Sequence, residues 1–299
     1  MTPSIWDVLS LLCKLLIYNG FAQAVAIPFM ILICDFNRRY LNALKTTVLI
    51  SLLLALLSSI SYFFIQVGSF SDTGLMGAFE AFFIKLIWNS SVGSMTVLRI
   101  MAVLMALVIF RVIFSARDDS NKVLFWGGVA LYLSNLLLIG ISFTVSGHVS
   151  ELSLLIRFAI AVHVLIAFWW LGSLWPLVLA STQFKQPILT SIMHKFGQSA
   201  TLLVVILITA GGYLAVNLLT GFGDLINTGF GQLLSFKLLL VFSIVLLAGY
   251  HKFILVPGLL KTNQASQSLA SSIKNELIIG IAILTVTAVL TTLVGPTAH

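Results

Sequence analysis

The chain has 299 residues, of which 60% are hydrophobic and 8% charged, and its formal net charge is +7. Its mean hydropathy is +1.11. Soluble domains carry about 25% charged residues, so a water-soluble fold could not cover itself with this sequence, and most of its surface must face lipid. Only helices and closed barrels satisfy their backbone in hydrocarbon. Long runs of Leu, Ile, Val and Phe point to helices and not to the alternating pattern of a membrane barrel. The positive charge does not mark a nucleic-acid partner, because the basic residues sit in short loops between apolar runs and form no stripe.

In chain order the apolar runs predict eight crossings, at 6–34, 46–67, 92–114, 123–146, 153–180, 197–219, 231–254 and 275–295. Each is near or above the ~20 residues needed to span a bilayer. The expected fold class is all-α, a polytopic membrane helix bundle forming a single transmembrane domain over 1–299. Cys13 and Cys34 fall in the first run. On one helix they lie about 31 Å apart and cannot pair, so two small buried hydrophobes is the preferred reading over a metal role. No cleavable signal peptide is expected, since no basic residue precedes Lys14 and no small-residue cleavage site follows a short core. The stretch 75–90 is apolar but includes Glu80 and Lys85. It reads as an amphipathic helix at the interface, with a re-entrant segment as the alternative.

The loops after the first, third, fifth and seventh spans, with their flanks, hold Arg38, Arg39, Lys45, Arg111, Arg117, Lys122, Lys185, Lys195, Lys252, Lys261 and Lys274. Basic residues accumulate on the cytoplasmic side, so both termini are expected on the opposite, outer side, which is the periplasmic side if the membrane is a bacterial inner membrane. A four-plus-four duplication, with halves 1–147 and 148–299, is suggested by recurring pairs: Gly93 with Arg99 and Gly231 with Lys237, Gly147-His148 and a terminal Gly295 to His299, Tyr62 and Tyr213. Four spans per half keep the halves parallel, with any symmetry axis along the membrane normal.

Ionisable groups inside a span are costly, about 2.5–3.5 kcal/mol for Arg or Lys at mid-helix, and are functional candidates for that reason. His163 sits near the middle of the fifth span, and His148 at the outer end of the fourth. Imidazole suits copper in either oxidation state, Cu(I) or Cu(II), and the pair on adjacent helices reads as a metal site. Met101 and Met105, one turn apart on the third span, share a face and offer thioethers suited to Cu(I); ordinary apolar filling is the competing reading for them. Arg99, Arg157 and Lys237 lie at a similar depth on the outer side, where Glu151, Asp224, Glu80 and Asp72 are the available partners. Their other use is to bind an anionic group such as a haem propionate or a lipid head group. His194, His251 and Lys252 read as solvated residues of the cytoplasmic side. No nucleotide-binding loop, zinc-protease signature or nucleophile motif occurs, so neither an enzyme nor a nucleotide partner is expected.

The C-terminal half resembles the copper resistance D family (the CopD/PcoD group) of bacterial inner-membrane proteins. The residues that carry the resemblance are His163-Val-Leu-Ile-Ala-Phe-Trp-Trp-Leu-Gly-Ser-Leu-Trp-Pro176, Lys195-Phe-Gly-Gln-Ser-Ala200, Ala210-Gly-Gly-Tyr213, Gly231-Gln-Leu-Leu-Ser-Phe-Lys237, Tyr250-His-Lys-Phe-Ile-Leu-Val-Pro257 and Ser272-Ile-Lys-Asn-Glu276. The similar core covers about 153–295. One departure is His251, where an Asn would be expected after the aromatic residue. The resemblance implies a multi-pass inner-membrane protein that moves copper, with a periplasmic copper-binding protein as partner and metal roles for His148 and His163.

Three functions remain open on the sequence. One is a copper permease that takes copper at His148 and passes it to His163. A second is an electron-transfer protein holding haem b between histidines. The third is a membrane anchor or receptor for a periplasmic copper chaperone.

Overall fold

A computed structural model describes residues 3–115, 122–145, 147–219, 221, 223–260 and 265–294. The basic loop at 116–121, the loop at 261–264 and the terminal Gly295 to His299 therefore lie outside the described residues. The helices are α1 Ile5–Ile33, α2 Arg38–Ser71, α3 Ala81–Trp88, α4 Ser91–Ser115, α5 Lys122–Ser142, α6 Leu154–Gln183, α7 Gln186–Leu218, α8 Asp224–Asn227, α9 Gly229–Tyr250, α10 Val256–Gly258 and α11 Ala265–Val289. Short 3-10 turns run over Leu75–Phe79 and Gly147–Glu151, and π turns over His251–Leu255 and Leu290–Val294.

Among the described residues, seven helices are long and apolar enough to cross a membrane. They are α1, α2, α4, α6, α7, the rod formed by α9 with α10, and α11 with its terminal π turn. The remaining predicted crossing is α5, whose described apolar part, Trp126–Ser142, is shorter. The protein is thus a multi-pass helical membrane protein. The stretch before Trp88 forms a five-residue 3-10 turn and the eight-residue α3. At ~1.5 Å per residue neither reaches across a bilayer. Leu75, Met76, Phe79 and Phe82 on it are all exposed, as an interfacial segment requires.

Helix boundaries follow local chemistry. Ser4 and Asp7 form a reciprocal cap on α1: the Ser4 amide and hydroxyl donate to Asp7 Oδ2 at 2.9 and 2.8 Å, and the Asp7 amide donates to Ser4 Oγ at 3.2 Å. The chain leaves α1 through Asp35 and Phe36, both with φ of 51°. Asn37 then caps α2 by accepting from the Tyr40 amide at 3.1 Å. Pro187 stands in the first turn of α7, where its missing N–H is no loss. Pro257 lies just beyond the His251–Leu255 turn. A proline ring crowds the carbonyl four residues earlier, which here is that of Phe253, and the helix widens into a π turn instead of breaking.

The chain forms two compact units. Unit 1 comprises Met1–Val25 and Lys45–Phe168; unit 2 comprises Ala26–Leu44 and Trp169–His299. In unit 1, α1 packs tightly on α2. A Cβ on Gly20 would collide with Ala55 and one on Gly68 with the Trp6 ring, so these glycines permit the approach. Asn19 donates to Ser51 at 3.0 Å and Gln66 to Ser10 at 3.1 Å, and the Tyr132 hydroxyl of α5 donates to the Val25 carbonyl at 2.6 Å. An aromatic cluster of Tyr18, Phe21, Phe143 and Phe168 fills the core beside them. In unit 2, the fully buried Tyr40 donates to the Pro176 carbonyl at 3.0 Å, and Trp169 stacks on Phe196 at 5.1 Å. Phe230, Val286 and Leu290 join α9 to the end of α11.

Candidate functional site

The residues nominated by the sequence fall as follows. His163 lies on α6 within unit 1 and is partly buried. His148 lies in the Gly147–Glu151 turn, and its side chain lies outside the described residues. Met101 and Met105 lie one turn apart on α4; Met101 is 48% exposed and Met105 partly buried. Among the described residues no three His, Cys, Asp or Glu side chains form a group able to hold a metal ion. Cys13 and Cys34 are both free thiols. Burial pushes the Cys34 thiol up to about 12, with the nearby Tyr40 hydroxyl opposing the rise. It is therefore protonated at neutral pH and a poor soft ligand.

Unit 2 contains a buried polar cluster that the sequence reading missed. His251, expected as a solvated residue of the cytoplasmic side, is only 5% exposed. The π turn before Pro257 carries it toward α11. There its Nδ1 lies 3.0 Å from Glu276 Oε2 and its Nε2 lies 2.7 Å from Ser272 Oγ. The other carboxylate oxygen, Oε1, accepts from the Trp170 indole at 2.9 Å. Ser272, Glu276 and Gly280 recur every four residues on α11 and so share one face. A Cβ on Gly280 would press on Leu171, so the absence of a side chain there lets α11 approach α6 closely enough for the indole to reach Glu276.

This cluster is a closed network of hydrogen bonds. Nδ1–H donates to the carboxylate, and Nε2 either accepts from Ser272 or, when the ring is charged, donates to it. In both cases neither ring nitrogen keeps a free lone pair, and both carboxylate oxygens are engaged. Glu276 is 3% exposed, and a buried carboxylate persists only with such partners. The sequence signal was a Glu inside an apolar run with a Ser one turn before it.

Unit 1 holds a second unusual group. Arg99 on α4 is 4% exposed, with the Tyr62 ring 5.6 Å and the Phe143 ring 5.3 Å from its guanidinium carbon. Among the described residues of unit 1 no ion pair joins it to a carboxylate. The described contacts of a carboxylate with a basic side chain are Lys195 with Asp35 and His251 with Glu276, an ion pair only when the imidazole is protonated, both in unit 2. Arg99 Nε and Nη1 are buried without a hydrogen-bond partner. Gln23 and Asn135 in the same unit also carry unbonded buried amide atoms.

Fold and buried groups together define a multi-pass α-helical membrane protein with ionisable side chains inside its bundle. Residues 190–290 match the family model of copper resistance protein D, which is the family that the C-terminal motifs resemble. The matched segment contains His251, Ser272, Glu276 and Lys237, while His148, His163, Met101 and Met105 precede it. No curated protein and no solved structure matches the chain.

Proposed function

We propose that this protein moves copper ions across the bacterial inner membrane, inward from the periplasm, as part of copper resistance or homeostasis. The observation that carries the proposal is the match of residues 190–290 to copper resistance protein D within a bundle of membrane-crossing helices. Copper is the cargo. On this reading His148 at the outer end of unit 1 takes the ion from a periplasmic copper-binding protein and His163 on α6 receives it. Met105 assists as a soft donor ahead of the more exposed Met101. The His251–Glu276 pair, with no free ring lone pair, ties the π turn to α11 and is not read as a metal ligand. The test is cellular copper accumulation. His163→Ala should lower it while leaving the purified protein folded, and unchanged accumulation in a folded variant would refute the proposal. Copper binding lost in His148→Ala but kept in His163→Ala would instead favour an anchor for a periplasmic chaperone.

A further inference from the structure

A groove in unit 1 carries an inference independent of copper. Its volume is about 340 Å³, and it opens between the start of α1, the later part of α2 and the Leu75–Phe79 turn. Ser61, Phe64 and Ile65 of α2 line its floor, Trp6 of α1 one wall, and Leu75 and Phe79 of the turn the other. Glycines fix both walls. A Cβ on Gly68 would strike the Trp6 ring, so its absence lets the indole lie against α2. A Cβ on Gly77 would strike the Ser71 and Thr73 hydroxyls, so the turn folds back closely on the end of α2. Thr73 also donates to Glu80 Oε1 at 2.6 Å, and the Phe79 ring lies 5.6 Å from that of Phe64. The groove is thus built into the fold.

Depth and size select the occupant. Ser61 precedes the end of α2 at Ser71 by about 15 Å at ~1.5 Å per residue, so the floor lies at the depth of hydrocarbon and not of head groups. An apolar groove left empty there forfeits dispersion contacts on its open side. Its volume stands at the lower end of the about 300–1,000 Å³ of ligand pockets, enough for part of one acyl chain and too little for a whole lipid. Charge then selects the head group. Trp6 is followed by Asp7, Phe79 by Glu80, and Asp72 stands shortly before Leu75. Against these carboxylates the adjoining α3 supplies one cation, Lys85. Asp72, Glu80 and Lys85 are all exposed. Among the described residues around the groove the balance is therefore negative. It repels an anionic head group and favours a primary ammonium, which carries the opposite charge and donates N–H bonds to carboxylates. A choline head carries the charge but has no N–H.

We propose that this groove binds one acyl chain of a phosphatidylethanolamine molecule, whose head-group ammonium is held by Glu80 and Asp72. The bound chain completes the contact between α1, α2 and the Leu75–Phe79 turn, so the lipid stabilises unit 1. The proposal stands or falls apart from copper movement.

The experiment titrates the delipidated full chain in detergent and follows its melting temperature. The probes are phosphatidylethanolamine, phosphatidylcholine and phosphatidylglycerol with the same acyl chains. Phosphatidylethanolamine should raise the melting temperature most and phosphatidylglycerol least. Ser61→Phe places a ring in the groove and should abolish the response. Leu53→Phe, at an exposed position of α2 away from the groove, should leave it intact. Glu80→Gln keeps an acceptor for Thr73 and should weaken apparent affinity for phosphatidylethanolamine about tenfold, the scale of one charge-assisted hydrogen bond. No response to any of the three lipids would overturn the proposal, as would a response to phosphatidylglycerol equal to or above that to phosphatidylethanolamine. So would an undiminished response in Ser61→Phe or, should that variant not fold, in Glu80→Gln.

Discussion

The Glu276 carboxylate lies 3.0 Å from the His251 Nδ1 atom, and both side chains are nearly sealed from solvent. Removing one member of such a pair strands the other, at about 3–5 kcal/mol. Glu276→Ala should therefore lower the melting temperature of detergent-purified protein sharply. Glu276→Gln keeps an acceptor for the Trp170 indole and should cost about 1–3 kcal/mol. An alanine variant that melts with the wild type would show that the pair contributes nothing to stability.

Gly93 and Gly231 allow the same backbone contact in the two units. A Cβ on Gly93 would strike the Trp88 carbonyl, and one on Gly231 the Asp224 carbonyl. A backbone carbonyl cannot swing away as a side chain does, so Gly93→Ala and Gly231→Ala should each cost about 1–3 kcal/mol. Gly249→Ala is the control, since nothing lies near its added methyl. It should be neutral or gain up to about 1 kcal/mol through helix propensity. Equal melting curves for all three variants would contradict the packing described.

Cys34 offers a pH-dependent readout. Burial raises its thiol from 9.0 to about 12, so alkylation by N-ethylmaleimide in folded protein should be slow at neutral pH. It should accelerate about tenfold per pH unit well past pH 9, whereas unfolded protein levels off near the ordinary thiol value, about 8.5. The folded value is the higher one. The stability contributed by the neutral thiol is therefore complete below the unfolded value and is lost as pH rises from about 9 toward about 12. A rate that levels off near pH 9 in the folded protein would show that the thiol is not buried.

Asn135 is fully buried with neither amide atom bonded. An unmet buried amide costs about 1–3 kcal/mol, so Asn135→Leu should raise the melting temperature. A fall would contradict the burial described for that amide.

Hydropathy made the crossings legible, because lipid leaves the chain no alternative to long apolar helices. Their ends were less so. The second span was expected at 46–67 and α2 runs Arg38–Ser71; the sixth was expected at 197–219 and α7 runs Gln186–Leu218. These helices continue past the apolar run into polar sequence, and their starts were marked by Asn37 and Pro187, which a hydropathy reading passes over. The spacing of Gly93 to Arg99 and Gly231 to Lys237 was visible in the sequence, and the structure supplies the shared reason for the two glycines. The cations diverge: Arg99 is caged by rings, and Lys237 is only partly buried. His251 was misread because it adjoins Lys252 in a run that looks solvated, while the carboxylate that buries it lies a helix away. The π turn that aims it depends on Pro257, and no periodicity announces such a turn.

Lys14, Asn19 and Gln23 all belong to α1, Lys14 and Gln23 are buried, and Ser51, which meets Asn19, lies on α2, later in the chain. During synthesis α1 therefore enters the bilayer bearing polar groups, and Ser51, the partner of Asn19, has not yet been made. Its insertion must be provisional, held at the translocation machinery or rescued by α2 soon after. Substitutions that make α1 more apolar would ease its entry into the membrane while emptying the interior it was shaped to serve.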